Sequence, residues 1–248
     1  MREVVAMKRI LLGGIVLFAW LVFSLGHVPQ LAHAWKPSLP SFGKKEGTAT
    51  AVNMDELMAE GASIRILVAK AMESYLEGTG KILTAAGDKK EAVKYEQAAK
   101  DLGKNRDDPQ KIKDTSSLID EGNKALEEIL AQKTVFSGKA RKQLAIGTVY
   151  VGAAGLADGS AGKLTADHLE KLNDAMKVVK EDPLKYGAGA AAYLTEAADL
   201  MTFLSKNLPV HADSIGSTYS ALVKYASTCG VKVSDADCDK QFKKITAK

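Results

Sequence analysis

Two histidines, two cysteines and an alternating acidic triplet are the residues whose types and spacing bear on chemistry. His168 follows Asp167 in the first turn of a predicted helix, and His211 lies near the start of another. Both are expected to be exposed start-of-helix residues. A neutral imidazole serves as general base or metal ligand, so an enzyme reading would build a hydrolase or metal site on this pair and scattered carboxylates. A zinc centre needs further ligands at helical or knuckle spacing, and none is found around either histidine.

Asp235, Asp237 and Asp239 match the opening of an EF-hand calcium loop. The loop then fails, because Lys240 stands where the turn needs glycine and Thr246 where it needs a bidentate glutamate. A solvated acidic turn is the expectation. Segments 159–163 and 78–81 look superficially like phosphate loops, but neither has the first glycine at the right spacing or a Ser/Thr after the lysine. No Gly-x-Ser-x-Gly elbow occurs. No catalytic residue, cofactor or metal ligand is therefore assigned, and a non-enzyme is expected.

Cys229 and Cys238 are the only cysteines. In an oxidising compartment a pair nine positions apart is most simply a disulfide. Closing a ring of about ten residues would contribute ~2.5–3 kcal/mol and pin the C-terminal tail to the last long helix. There is no Cys-x-x-Cys for a redox or metal role.

The oxidising compartment is inferred from residues 1–34, which read as a secretory signal peptide. Arg2, Lys8 and Arg9 precede an uncharged apolar run over 10–26, and Ala32, His33 and Ala34 form a small-x-small triplet before Trp35. An uncleaved anchor is the competing reading, since 17 residues fall just under a bilayer-spanning length of ~18–20. Either way the basic residues ahead of the run place the body across the membrane, periplasmic or secreted. Without residues 1–34 the balance is 31 basic against 29 acidic side chains, which gives nucleic acid no concentrated basic patch to bind.

Residues 35–52 hold Pro37, Pro40, Gly43 and Gly47 without helical periodicity and read as a flexible linker. The body, 53–248, reads as one domain. Asn53 is a plausible N-cap with Asp55 and Glu56 behind it. Leu57, Ile64, Leu67, Val68, Ala71, Met72, Leu76 and Leu83 then recur at three- and four-residue steps, predicting a long amphipathic helix that Gly78 and Gly80 bend or end. A polar helix is predicted over 88–102 with a narrow face of Ala92, Tyr95, Ala98 and Ala99. Asp108 and Pro109 start another, and Asp182 and Pro183 repeat that signal 74 residues later, a loose hint of a duplicated hairpin. Helices near 137–157 and 165–181 lie between them; after Pro183 one runs to about Lys206, and Pro209 opens the last long one. With no strand alternation, the class is all-α, an antiparallel helical bundle of about five to seven helices.

Segment 144–157 stands apart. It carries Leu144, Ile146, Gly147, Val149, Val151, Gly152, Gly155 and Leu156, has no charge, and includes only Thr148 and Tyr150 with polar groups. Asp158, Gly159, Ser160 and Gly162 follow as a flexible turn. One reading is a membrane-inserting element, as in helical pore-forming toxins; the other is the central helix of the bundle. Its ~21 Å reach, at 1.5 Å per residue, is short of a ~30 Å hydrocarbon core and favours the second. Its glycines, each costing roughly 1 kcal/mol of helix propensity, imply close backbone approach, with Gly187, Gly189, Ala190, Ala191, Ala197 and Ala198 as the expected facing surface. The overall expectation is an exported non-enzymatic bundle that binds a protein partner in the cell envelope or outside the cell, with membrane contact as the alternative; the partner's identity, any ligand and the oligomeric state stay open.

Overall fold

The computed structural model describes residues 52–133 and 135–247. The expected signal peptide, its cleavage point and the linker up to residue 51 lie outside the described residues. What is described falls in one compact unit of seven helices: α1 (Met54–Ala86), α2 (Lys89–Lys104), α3 (Pro109–Gln132), α4 (Lys139–Glu181), α5 (Pro183–Tyr186), α6 (Ala188–Thr228) and α7 (Asp235–Thr246). Among the described residues there is no strand. The all-α antiparallel bundle is thus observed.

Local capping chemistry sets the helix boundaries on the N-terminal side of the bundle. The Asn53 side chain accepts the Glu56 N–H at 3.2 Å, Asp88 accepts that of Glu91 at 3.1 Å, and Asp108 accepts those of Gln110 and Lys111 with Pro109 in the first turn. Each supplies an acceptor to an amide that the helix itself leaves unbonded. α1 stops at Gly87, whose φ of 92° is the left-handed conformation of a helix C-terminus. Gly78 and Gly80 do not end α1, which continues to Ala86. A Cβ on Gly78 would stand 2.8 Å from the Gly147 carbonyl oxygen, so that glycine lets α1 and α4 approach backbone to backbone.

Two long helices depart from the sequence expectation. The turn expected at 158–162 is absent, and α4 runs unbroken for 43 residues. α6 likewise runs for 41 residues with Pro209 inside it, rather than beginning there. Both departures meet at one place: the Pro209 ring lies 4.0 Å from where a Gly162 Cβ would be. The proline lacks an N–H and costs ~3 kcal/mol or more inside a helix; Leu204, Leu208 and Ile215, all buried around it, offset that by packing into the core. The Asp182–Pro183 signal starts only the four-residue α5, because Gly187 at φ 80° breaks it before α6.

α4 is the central helix. It runs antiparallel to α1, with Gly147 opposite Gly78 and His168 opposite Gly61, and antiparallel to α6, with Gly152 against Tyr219 and Gly162 against Leu208. α7 closes a third side. Its Phe242 and Ile245 form a small apolar cluster with Ala71 of α1 and Ala153 and Ala157 of α4.

The expected Cys229–Cys238 disulfide is not formed; both are buried free thiols. α7 folds back onto α4 and α1, and Cys238 there meets Tyr219 of α6, its Sγ 3.2 Å from the phenol oxygen. Tyr219 and Cys229 are separated by about 15 Å of helix rise. The Cys238 thiol is thereby held about two and a half turns before the end of α6, away from Cys229.

Candidate functional site

Three side chains able to do chemistry, Asp158, Thr165 and His168, share one buried face of α4. Val151, Ala154, Asp158, Ala161, Thr165, His168 and Leu172 follow three- and four-residue steps, and every one is buried. This stripe passes straight through the expected turn at 158–162 and makes a polar seam of Asp158, Thr165 and His168.

His168 has no exposed surface, contrary to the expectation of a solvated helix start, because the continuous α4 puts it in mid-helix on the inward face. Its Nδ1 is 3.0 Å from Glu60 Oε2 on α1, and Glu60 Oε1 accepts the Lys171 ammonium at 2.7 Å. A carboxylate only accepts, so Nδ1 carries the proton and Nε2 the lone pair. Nε2 has no hydrogen-bond partner. Gly61 closes over it, since a Cβ there would lie 2.9 Å away. Burial pulls the imidazole below its usual range against the opposing pull of Glu60, while Lys171 and Arg65 add to the lowering. Glu60 also ends low: burial raises it, and the hydrogen bonds from Lys171 and His168 outweigh that. Arg65 Nε and Thr165 Oγ1 are further buried atoms without a bond.

Asp158 is the strongest anomaly. Neither carboxyl oxygen has a partner, and burial alone pushes its pKa up to about 8. It is a neutral acid at neutral pH, as an unpaired buried carboxyl must be.

His211 is also buried, again against expectation and for the same reason, in mid-α6. Nε2 lies 3.3 Å from Ser116 Oγ on α3, and Nδ1 is unbonded. Burial lowers its pKa, with Asp120 opposing. Nearby, the Tyr75 hydroxyl donates to Asn123 Oδ1 at 2.8 Å and Asn123 Nδ2 donates to Ser214 Oγ at 2.6 Å, tying α1, α3 and α6 together.

The apolar segment lies in the same core. Leu144, Gly147, Val151 and Gly152 are buried, Ile146, Val149, Gly155 and Leu156 half-buried, and no residue of 144–157 is exposed. Its glycines face Gly78 and Ile82 of α1 and Tyr219 and Ile215 of α6. The small residues at 187–198 are not their partners. In the antiparallel pairing the C-terminal half of α6 meets this part of α4, and Gly187 and Gly189 have no neighbour within 4 Å of a Cβ position.

Asp235 and Asp237 lie in the first turn of α7, where carboxylates suit the helix dipole, and Ser234 caps them. Among the described residues no group of three His, Cys, Asp or Glu side chains is placed to hold a metal. A shallow cleft of ≈ 250 Å³ lies where α1 meets α7, walled by Lys70, Glu77, Tyr150, Gln241 and Lys244 and by the Glu73–Arg106 ion pair at 2.7 Å. Burial raises Glu77 above the ordinary carboxylate range.

The chain matches no family model, no curated protein and no solved structure.

Sequence reasoning missed Asp158, Glu60 and Thr165. The signal was present in the steps 151, 154, 158, 161, 165, 168 and 172, which continue one inward face across the glycines.

Proposed function

We propose that this protein is an exported, non-enzymatic helical bundle that acts by binding a protein partner. The observation that carries this reading is the use made of its reactive groups. The free nitrogen of His168 is closed off by Gly61, and His211 bridges to α3. These groups join helices to one another, and both histidines are buried away from solvent. The mixed-charge cleft between α1 and α7 is the recess best suited to the partner, offering lysine and arginine cations beside Glu73 and Glu77. Photo-crosslinkers placed at Gln241 and Lys244 in the cleft, and at Lys177 on the exposed end of α4, test it in the native envelope fraction. One discrete adduct from the cleft positions and none from Lys177 is expected; equal labelling everywhere, or none, sinks the reading.

A second reading keeps the protein membrane-active through α4. Its support is that α4, among the described residues, is the one helix long and apolar enough to cross a membrane. Release of dye from anionic vesicles that is lost in Gly152→Asp, with the variant still folded, would favour it over the first. A protein that neither binds nor permeabilises such vesicles at any pH removes it.

A further inference from the structure

We infer that the bundle is a two-sided pH latch, in which sealed side chains on the seams of α4 and α6 hold it closed around mildly acidic to neutral pH and release it on either side.

The basis is geometric. His168 joins α4 to α1, His211 joins α6 to α3, and Asp158 is buried in α4 ten residues before His168. Each has at least one buried polar atom without a partner: Nε2 of His168, Nδ1 of His211 and both oxygens of Asp158. Each therefore has one protonation state that the closed bundle tolerates. A proton added to His168 Nε2 creates a donor against Gly61, with the Arg65 guanidinium nearby and only the Glu60 carboxylate, already engaged at Nδ1 and by Lys171, to compensate. A protonated His211 carries an N–H at Nδ1 that likewise finds no acceptor, and the Asp120 carboxylate of α3 is the charge that eases it. A proton lost from Asp158 leaves a charge with no donor and no cation facing it. Leaving such a group unpaired costs the full desolvation penalty.

The signs oppose each other. The histidines, lowered in the folded state, contribute stability that is complete above the unfolded imidazole value of ~6.5 and is lost as pH falls from there through the folded values. Glu60, also lowered, extends that loss further into acid. Asp158 is raised to about 8, so its stability is complete below the unfolded value of 3.8 and is lost as pH rises through about 8. Between ~6.5 and 8 only the Asp158 proton is unmatched. Below ~6.5, where the imidazoles take up protons unfolded but not folded, two histidine protons outweigh that one. Stability therefore crests near pH ~6.5, and each net unmatched proton changes the folding equilibrium about tenfold per pH unit.

Opening along these seams uncovers segment 144–157, the apolar centre of the bundle. Urea unfolding of the full-length protein across pH 5–9 tests the latch. A crest near pH 6.5 is expected; in Asp158→Asn the alkaline limb should disappear and the acid limb steepen, and in the His168→Gln, His211→Gln double variant the acid limb should reverse, stability going on rising as pH falls to 5. A wild-type stability that is flat or monotonic over that range, or an alkaline limb that survives in Asp158→Asn, overturns the proposal. Should a variant not fold, NMR titration of the wild type decides. Imidazole signals of His168 and His211 that titrate below the ordinary 6.5 while the bundle remains folded, with an Asp158 carboxyl that titrates far above the ordinary 3.8, support the latch; histidines that titrate at 6.5 or above in the folded protein, or an Asp158 that ionises near 4, refute it.

Discussion

At the scale of single residues, the same substitution has opposite consequences at two glycines. A Cβ at Gly78 would press on the Gly147 carbonyl at 2.8 Å and on Tyr150 and Val151 at 3.0 Å, and a backbone oxygen cannot swing aside. Gly78→Ala should cost about 1–3 kcal/mol through overpacking. Gly216, inside α6 with nothing within 4 Å of its Cβ position, has no such neighbour. Gly216→Ala should gain up to ~1 kcal/mol from helix propensity and a less flexible unfolded chain. Denaturant midpoints of the two variants should move apart; a shift in the same direction would show that space at the helix seams is not what the glycines provide. The cysteines make a further residue-level expectation. Both are buried and unpaired, so a thiol reagent should react slowly with the native protein and label two thiols once it is unfolded in the absence of reductant. Labelling of none would restore the disulfide that the Cys238–Tyr219 contact replaces.

Between one element and the next, the least securely held helix longer than the single turn of α5 is α7. Its core contribution is confined to Cys238, Phe242 and Ile245, its N-terminus rests on the Ser234 cap, and its end is tied by Lys70 Nζ donating to the Ala247 carbonyl at 2.6 Å. Phe242→Ala removes the largest side chain of the small α7 cluster, a loss of about 3 kcal/mol or more in a fixed core. Because the cluster is peripheral, the expected result is detachment of α7 with α1 to α6 intact: amide protection lost over 235–246 and kept elsewhere. Loss of protection throughout would mean that α7 is part of the cooperative core. How far the elements were legible follows from the range of the forces that make them. Asn53, Asp88 and Asp108 announce helix starts because a cap is settled within four residues. Gly159, Gly162 and Pro209 announce breaks that do not occur, because the deciding contact is with the facing helix, which lies 47 residues away in the chain for Gly162 and Pro209. The buried histidines were misplaced for that reason alone: once α4 and α6 are continuous, positions 168 and 211 fall on inward faces.

For the whole molecule, the question is where the bundle is hardest to open. α4 is wrapped by α1, α6 and α7, and no residue of 144–157 is exposed. The far end of the α4–α6 pair is different. Leu184 is 95 % exposed, Gly187 sits at φ 80°, and Gly189, Ala191 and Ala192 are exposed; the bond from the Val52 amide to the Tyr186 hydroxyl at 3.2 Å is a long-range tie at this corner. Amides open locally in proportion to how little buried apolar contact holds them. Native-state hydrogen exchange should therefore find the slowest amides in the middle of α4 and the fastest helical ones over 183–192, with Tyr186→Phe speeding the latter further. The pattern should also depend on pH if the seams govern opening. At pH 5 and at pH 8.5 the α4 amides should exchange through smaller free energies than at pH 6.5, after correction for the intrinsic rate, while 183–192 changes little because no sealed group lies there. Uniform acceleration of both regions would place the pH sensitivity in the general charge balance of the surface and not in Asp158, His168 and His211.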